Sequence, residues 1–136
     1  MSAITTLSIA TSGRGLTEIT DQVAAAVSHA RLDEGLCTLF VQHTSASLVI
    51  QENADPAVCR DLEAYFQQLV PEDSGLWTHT AEGPDDMPAH VRSALTQSNL
   101  SIPILSGRLM LGTWQGIYLW EHRRRGSARR VVVHAK

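Results

Sequence analysis

Several common anchors of function are missing from this sequence. No apolar run approaches the ~18 residues that a membrane-spanning helix needs, and the opening Met1-Ser2-Ala3-Ile4-Thr5-Thr6 has neither the basic start nor the apolar core of a secretory signal. A membrane location is therefore not expected. Aromatic residues make up 5% of the chain and the net charge is −3. With no stacking platform and no broad basic stripe, nucleic acid is not an expected partner. Only two cysteines occur, Cys37 and Cys59, both among apolar neighbours and at no metal-ligand spacing. They read as buried free thiols of a protein in the reducing cytoplasm. No GxGxxG fingerprint, P-loop or GxSxG elbow is present, so neither a glycine-rich phosphate cradle nor a hydrolase nucleophile is offered. Repeats, low-complexity tracts and linkers are also absent. The 136 residues are expected to form one domain over 1–136.

What is present is a set of histidines in polar, turn-rich surroundings: His43 in Gln42-His43-Thr44-Ser45, His79 in Thr78-His79-Thr80, and His90 in Pro88-Ala89-His90. Glu52, Asn53, Asp55, Glu82, Asp85 and Asp86 lie around them in the same middle third. Imidazole with carboxylate suits a borderline divalent cation such as zinc, and equally suits general acid–base chemistry near neutral pH. Charge is also segregated. Five of the ten arginines fall between Arg123 and Arg130, and five of the fourteen acids between Glu72 and Asp86. Such patches attract ions of opposite sign or a second copy of the chain.

Alternation over Ile4 to Ala10 predicts a first strand. Thr20 is expected to cap a helix through Ala30, and Gly35 to end that unit. Leu36–Gln42 and Ser47–Gln51 read as strands. Asp55-Pro56 is a helix start, after which Val58, Leu62, Tyr65 and Leu69 form an apolar stripe. Glu72 to Met87 reads as a long functional loop. A short helix is expected over Pro88–Gln97 with Val91 and Leu95 inward. Beyond it come strands at Ser101–Leu105, Arg108–Leu111, Thr113–Glu121 and Arg130–Ala135, with a turn at Ser106-Gly107. The expected class is α+β: a single domain with an antiparallel, β-sandwich-like sheet and two or three helices.

Two further elements stand out. Gly112-Thr113-Trp114-Gln115-Gly116 suggests a bulge or a backbone approached closely. Glu121-His122 leads into Arg123-Arg124-Arg125, which reads as a solvated hairpin tip, whereas Arg129 or Arg130 is expected to turn inward or toward a phosphate.

In this order, His43-Thr44-Ser45-Ala46-Ser47-Leu48, Glu52-Asn53 with Asp55-Pro56, Glu82-Gly83, Ala89-His90, Gly107-Arg108 and Leu111-Gly112-Thr113-Trp114-Gln115-Gly116-Ile117 followed by Glu121 resemble the YjbQ family, also labelled the secondary thiamine-phosphate synthase family. Where much of that family has Glu-x-Asp-Gly, this chain has Glu121-His122-Arg123, so His122 is expected to stand in for the aspartate. The resemblance implies a homotrimer, and a pocket in which His43, His79 and His90 hold a divalent metal, zinc first and magnesium as the alternative. It implies that Glu52, Glu82 and Trp114-Gln115 line the same cavity. Glu52, Glu82, Gln115 and Glu121 are then the expected catalytic groups, and Ser45, Trp114, Arg129 and Arg130 the expected substrate contacts. The implied activity joins a pyrimidine diphosphate to a thiazole phosphate. The alternative is a trimer that binds a metal or phosphorylated metabolite without turnover.

Overall fold

The computed structural model describes residues 3–136. Strand alternation builds most of it. β1 (Ala3–Ala10), β3 (Glu34–Val41), β5 (Asn99–Leu105), β6 (Arg108–Leu109) and β8 (Ala128–Ala135) form a five-stranded sheet in the order β1-β8-β3-β5-β6. β2 (Gly15–Glu18), β7 (Gln115–Glu121) and β4 (Ala46–Glu52) form a second sheet in the order β2-β7-β4. Every pairing is antiparallel. Because side chains alternate between faces, Cys37, Leu39 and Val41, Leu100, Ile102 and Ile104, and Val131, Val133 and Ala135 share the inner face of the larger sheet. They pack on Ala46, Leu48, Ile117 and Leu119 of the smaller one. This is the expected α+β sandwich, with three helices.

The first helix, α1 (Thr20–Ala30), adds Val23, Ala26, Val27 and Ala30 to this core. Thr20 does not cap it. Ile19 holds the cap position, while the Thr20 hydroxyl donates to Glu18 and accepts the Ile117 N–H. That exchange pins the helix to the smaller sheet. α2 (Pro56–Leu69) begins as expected, with Asp55 accepting the Ala57 N–H at 2.9 Å. Its packed face is rotated from the apolar stripe, however: Tyr65 and Leu69 are exposed, and Phe66 lies 4.5 Å from Trp120. Glu63 accepts the Trp120 indole N–H, so the contact face is set by a polar bond that apolar periodicity does not register. α3 (Asp86–Leu95) starts two residues before Pro88. It buries Pro88, Ala89 and Arg92, while Leu95 is exposed. A proline in the first turn costs nothing there, since those N–H groups have no helical partner.

Ser106 and Gly107, both with positive φ, make the two-residue turn joining β5 to β6. Gly116 is required for close approach, because a Cβ there would fall 2.6 Å from Glu18 Oε2 and 3.0 Å from the Asn53 Cβ. Of the cysteines, Cys37 is buried and Cys59 only half-buried. The outer face of the five-stranded sheet carries exposed Ile4, Leu36, Phe40 and Leu105. No helix of the structure is long and apolar enough to cross a membrane.

Candidate functional site

Two inward-facing charges set the frame of the site. Arg129 continues the inner row of β8 and Glu121 that of β7, so they meet between the sheets, 6% and 0% exposed. Arg129 donates through Nε to Glu121 Oε1 at 2.8 Å and through the Nη2 group to the other carboxylate oxygen. The Thr11 hydroxyl and the Arg123 N–H add two more bonds to that carboxylate. Burial pushes the Glu121 carboxyl up, but the bonds from Arg129, Thr11 and Arg123 outweigh it and hold its pKa below the ordinary value. Glu121 thus serves to orient Arg129, which also donates to the Ser45 carbonyl and hydroxyl at 3.2 and 3.0 Å.

Beside this pair, His79 from the long loop and Asp86 and His90 from α3 converge. His79 Nε2 lies 2.7 Å and His90 Nε2 3.2 Å from Asp86 Oδ2. These three ligand atoms all lie within 4.8 Å of one another. Asp86 and His90 stand one helical turn apart on the same face. His90 Nδ1 lies 2.9 Å from the Thr44 carbonyl. A carbonyl only accepts, so Nδ1 carries the proton and, in the neutral ring, Nε2 turns a lone pair toward Asp86. That is the orientation of a metal-ligating histidine whose distal N–H is held by a backbone oxygen. Tetrahedral zinc with bonds of about 2.0 Å separates its ligands by roughly 3.3 Å, so the donor set fits. Side-chain exposure is 47% at His79 and 2% at Asp86, a site anchored below and open above.

Of the arginine run, Arg125 is exposed as a solvated tip would be, but Arg123 and Arg124 are paired with the acidic loop. Arg123 donates from Nε to Asp85 at 3.0 Å, approaches Asp86 Oδ1 with Nη1 at 2.8 Å, and donates to the Glu82 carbonyl. Arg124 pairs with Glu72, which Arg14 also contacts. The acidic loop and the arginine turn are therefore each other's partners. Burial raises the Asp85 carboxyl, yet the Arg123 side chain and the Arg124 N–H bring it down to about 2. Burial likewise opposes ionisation of Asp86; the His79 hydrogen bond, His90 when protonated and the Arg123 charge outweigh it.

The structure brings together His79, His90, Glu82, Ser45, Glu121 and Arg129. Glu82 lies against Asp86. His43 is adjacent but outside the three-ligand group: its Nε2 accepts the Arg130 N–H at 2.8 Å, and it shares a cleft with His90. Burial first, then Arg129 and Arg130, push its pKa down, so it is held neutral. The Arg130 side chain is exposed. Glu52, Trp114 and Gln115 sit at the other end of β4, a strand about 20 Å long, and do not line this cavity within one subunit. There Glu52 accepts the Asp55 N–H, Gln115 accepts the Gly112 N–H, and Trp114 is exposed. His122 is fully buried, with Nε2 2.8 Å from the Ser47 hydroxyl, and burial followed by nearby Arg92 pushes its pKa down to about 3.

Asp86 and Arg123 belong to the candidate site although their sequence surroundings do not mark them. Placing the helix start at Pro88 concealed the Asp86-x-x-x-His90 spacing, and the pairing of Arg123 with residues 37 and 38 positions earlier has no local signature.

A family model described as UPF0047 protein YjbQ-like matches residues 5–136. A UPF0047 protein of Synechocystis sp. is 58% identical over 94% of this chain and 87% of its own length. The UPF0047 protein YjbQ of Escherichia coli O157:H7 is 43% identical over 94% and 93%. Among solved structures, a YbjQ-like protein of unknown function from Sulfolobus solfataricus P2 superposes with a TM-score of 0.90 at 25% identity, covering 99% of this chain and 96% of that one. An uncharacterised YjbQ/UPF0047 protein from Clostridium acetobutylicum gives 0.86 at 36% identity, covering 94% and 97%.

Proposed function

The chain belongs to the UPF0047 YjbQ-like family, and from that premise we propose that it carries out metal-assisted chemistry on a phosphorylated small molecule. The observation that carries this reading is the convergence of His79, Asp86 and His90, with the His90 tautomer fixed by the Thr44 carbonyl. A divalent ion there, zinc first and magnesium second, would act as a Lewis acid on phosphate oxygens. The finer form is a thiamine-phosphate synthase-type transfer. The C–O bond between a pyrimidine methylene and its diphosphate breaks, both electrons leave with diphosphate, and the thiazole nitrogen forms the new C–N bond.

In that reaction His79, Asp86 and His90 would hold the ion, which would supply Lewis-acid stabilisation to the diphosphate. Arg129, aligned by Glu121 and Ser45, offers its remaining guanidinium donor, its charge being balanced by the Glu121 carboxylate. Exposed Arg130 adds a more mobile charge. Glu82, beside Asp86, positions water or accepts a proton. Glu52, Trp114 and Gln115 would reach such a site only from a neighbouring subunit. We include the homotrimer in the proposal on that ground, and because the outer sheet face exposes Ile4, Leu36, Phe40 and Leu105. The two free thiols suit a cytoplasmic location. Binding without turnover is the second reading. It is favoured by the commitment of Glu121 to Arg129, which takes one of the expected catalytic acids near the histidines out of use as a base.

Elemental analysis of the wild type beside His79→Ala and His90→Ala tests the site. Near-stoichiometric zinc or another divalent ion, lost in both variants, is expected. Folded, metal-free wild type that takes up none on addition would refute it. Thiamine phosphate formed from both precursors by the metal-loaded protein supports turnover; tight precursor binding with no product supports the second reading.

A further inference from the structure

Hydrogen-bond accounting at His43 leaves a mismatch. The Arg130 backbone N–H can only donate, and it donates to His43 Nε2 at 2.8 Å. A neutral imidazole has one accepting nitrogen, so Nδ1 must carry the proton. Yet Nδ1 lies 3.3 Å from Arg129 Nη1, another obligate donor. The contact therefore sets two donors face to face. Arg129 Nε is occupied by Glu121, and the Nη2 group by Glu121 and Ser45. Nη1, on a side chain only 7% exposed, has no acceptor among the described residues. Buried guanidinium N–H groups are usually paired; here Arg14 Nε and Arg92 Nε and Nη1 are also without a partner, but only Arg129 faces a histidine that can itself only donate at the contact.

Both residues line clefts, though not the same one. Arg129 lines a cleft of about 300 Å³ together with Ser45, Arg123, Arg125, Gly126 and Ser127. His43 lines a neighbouring cleft of about 340 Å³ with Thr44 and His90. The Ser45 hydroxyl accepts from Arg129 and keeps its own proton to donate. Guanidinium, imidazole and hydroxyl donors thus approach from several directions, which suits a tetrahedral oxyanion better than a planar carboxylate.

We propose that His43 Nδ1–H and Arg129 Nη1–H form the floor of a phosphate-binding subsite, with Arg125, Ser45 and Ser127 as its walls. The subsite deepens the reading above by naming where the phosphoryl group rests, but it uses atoms distinct from the metal ligands. His43 is then an anion-binding residue that touches the substrate, and Arg123 borders both the oxyanion and Asp86.

The test is a titration of inorganic phosphate into chelator-treated protein at constant ionic strength. Binding is followed by calorimetry and by the histidine side-chain ¹⁵N resonances. A protonated Nδ1 at His43 before phosphate is added, and a shift of that resonance on saturation, are expected. Arg125→Gln, a change at an exposed position, should weaken affinity about tenfold or more, the scale of one charged hydrogen bond. The inference is overturned by an unprotonated His43 Nδ1, by a resonance unmoved at millimolar phosphate, or by equal affinity in Arg125→Gln. Phosphate binding that requires added zinc would place the anion on the metal and overturn it as well. Zinc uptake without phosphate binding removes this subsite and leaves the metal reading standing; phosphate binding without zinc uptake does the reverse.

Discussion

Replacing Glu121 by glutamine isolates what the buried ion pair contributes. The carboxylate is fully enclosed and receives the two Arg129 donors, the Thr11 hydroxyl and the Arg123 N–H. Glutamine retains one oxygen but turns an NH₂ group toward one of these donors, leaving the Arg129 charge buried without a counter-ion. Breaking one side of such a pair costs about 3–5 kcal/mol, a loss of roughly 10–15 °C in melting temperature for a domain of this size. Urea unfolding at pH 7 of Glu121→Gln, Arg129→Met and the double variant provides the cycle. The double variant should be more stable than the sum of the single losses predicts, because it leaves no orphaned charge. The pH dependence has a definite sign. Glu121 has a depressed pKa in the folded state, so its stabilisation is present above the unfolded value near 4.3 and is lost as pH falls through the lower folded value. The gap between wild type and Glu121→Gln should therefore narrow below about pH 4. A cost under about 1 kcal/mol at pH 7, or strict additivity in the cycle, would refute this account of the pair.

Gly126→Ala should destabilise by about 1–3 kcal/mol in urea melts, because its Cβ would sit 1.9 Å from the Thr11 carbonyl oxygen. His122, with its pKa pushed down to about 3, should show no imidazole titration by NMR between pH 4 and 8. Because the unfolded chain does bind that proton, His122 makes stability fall as pH drops from about 6.5 toward 3. Thiol labelling of the native protein should modify Cys59 and spare Cys37, which is buried with its pKa pushed up to about 11; equal rates would contradict the packing. Arg123→Gln should speed hydrogen exchange across the 72–85 loop, since it removes the side chain holding Glu82, Asp85 and Asp86.

Period-two alternation made the core strands readable, because a half-buried sheet stamps its faces on the sequence. β2 escaped because Gly15-Leu16-Thr17-Glu18 is too short to show a period. The rotation of α2 was hidden since its contact face holds Glu63, whose bond to Trp120 runs against hydrophobic order. For the site, histidine and carboxylate content pointed to the right region, but the grouping did not follow sequence distance. Glu52 is only nine positions from His43, yet the length of β4 separates them. Arg124 is 52 positions from Glu72, yet they are paired. What reads as a solvated cationic tip beside a solvated acidic loop is, at Arg123 and Arg124, an electrostatic clasp that only tertiary structure reveals, while Arg125 stays exposed.

The place of β8 in the larger sheet also bears on how a nascent chain acquires this fold. β8 lies between β1 and β3, with Ala3 paired to Ala135. While residues 128–135 are still inside the ribosome, β1 has nothing to pair with and β3 lacks one neighbour. At typical elongation rates the first strand waits on the order of ten seconds for its partner. The larger sheet is thus completed only when β8 is available, and until then the apolar row of β1 and the open edge of β3 are exposed to chaperones, or to neighbouring chains of a polysome.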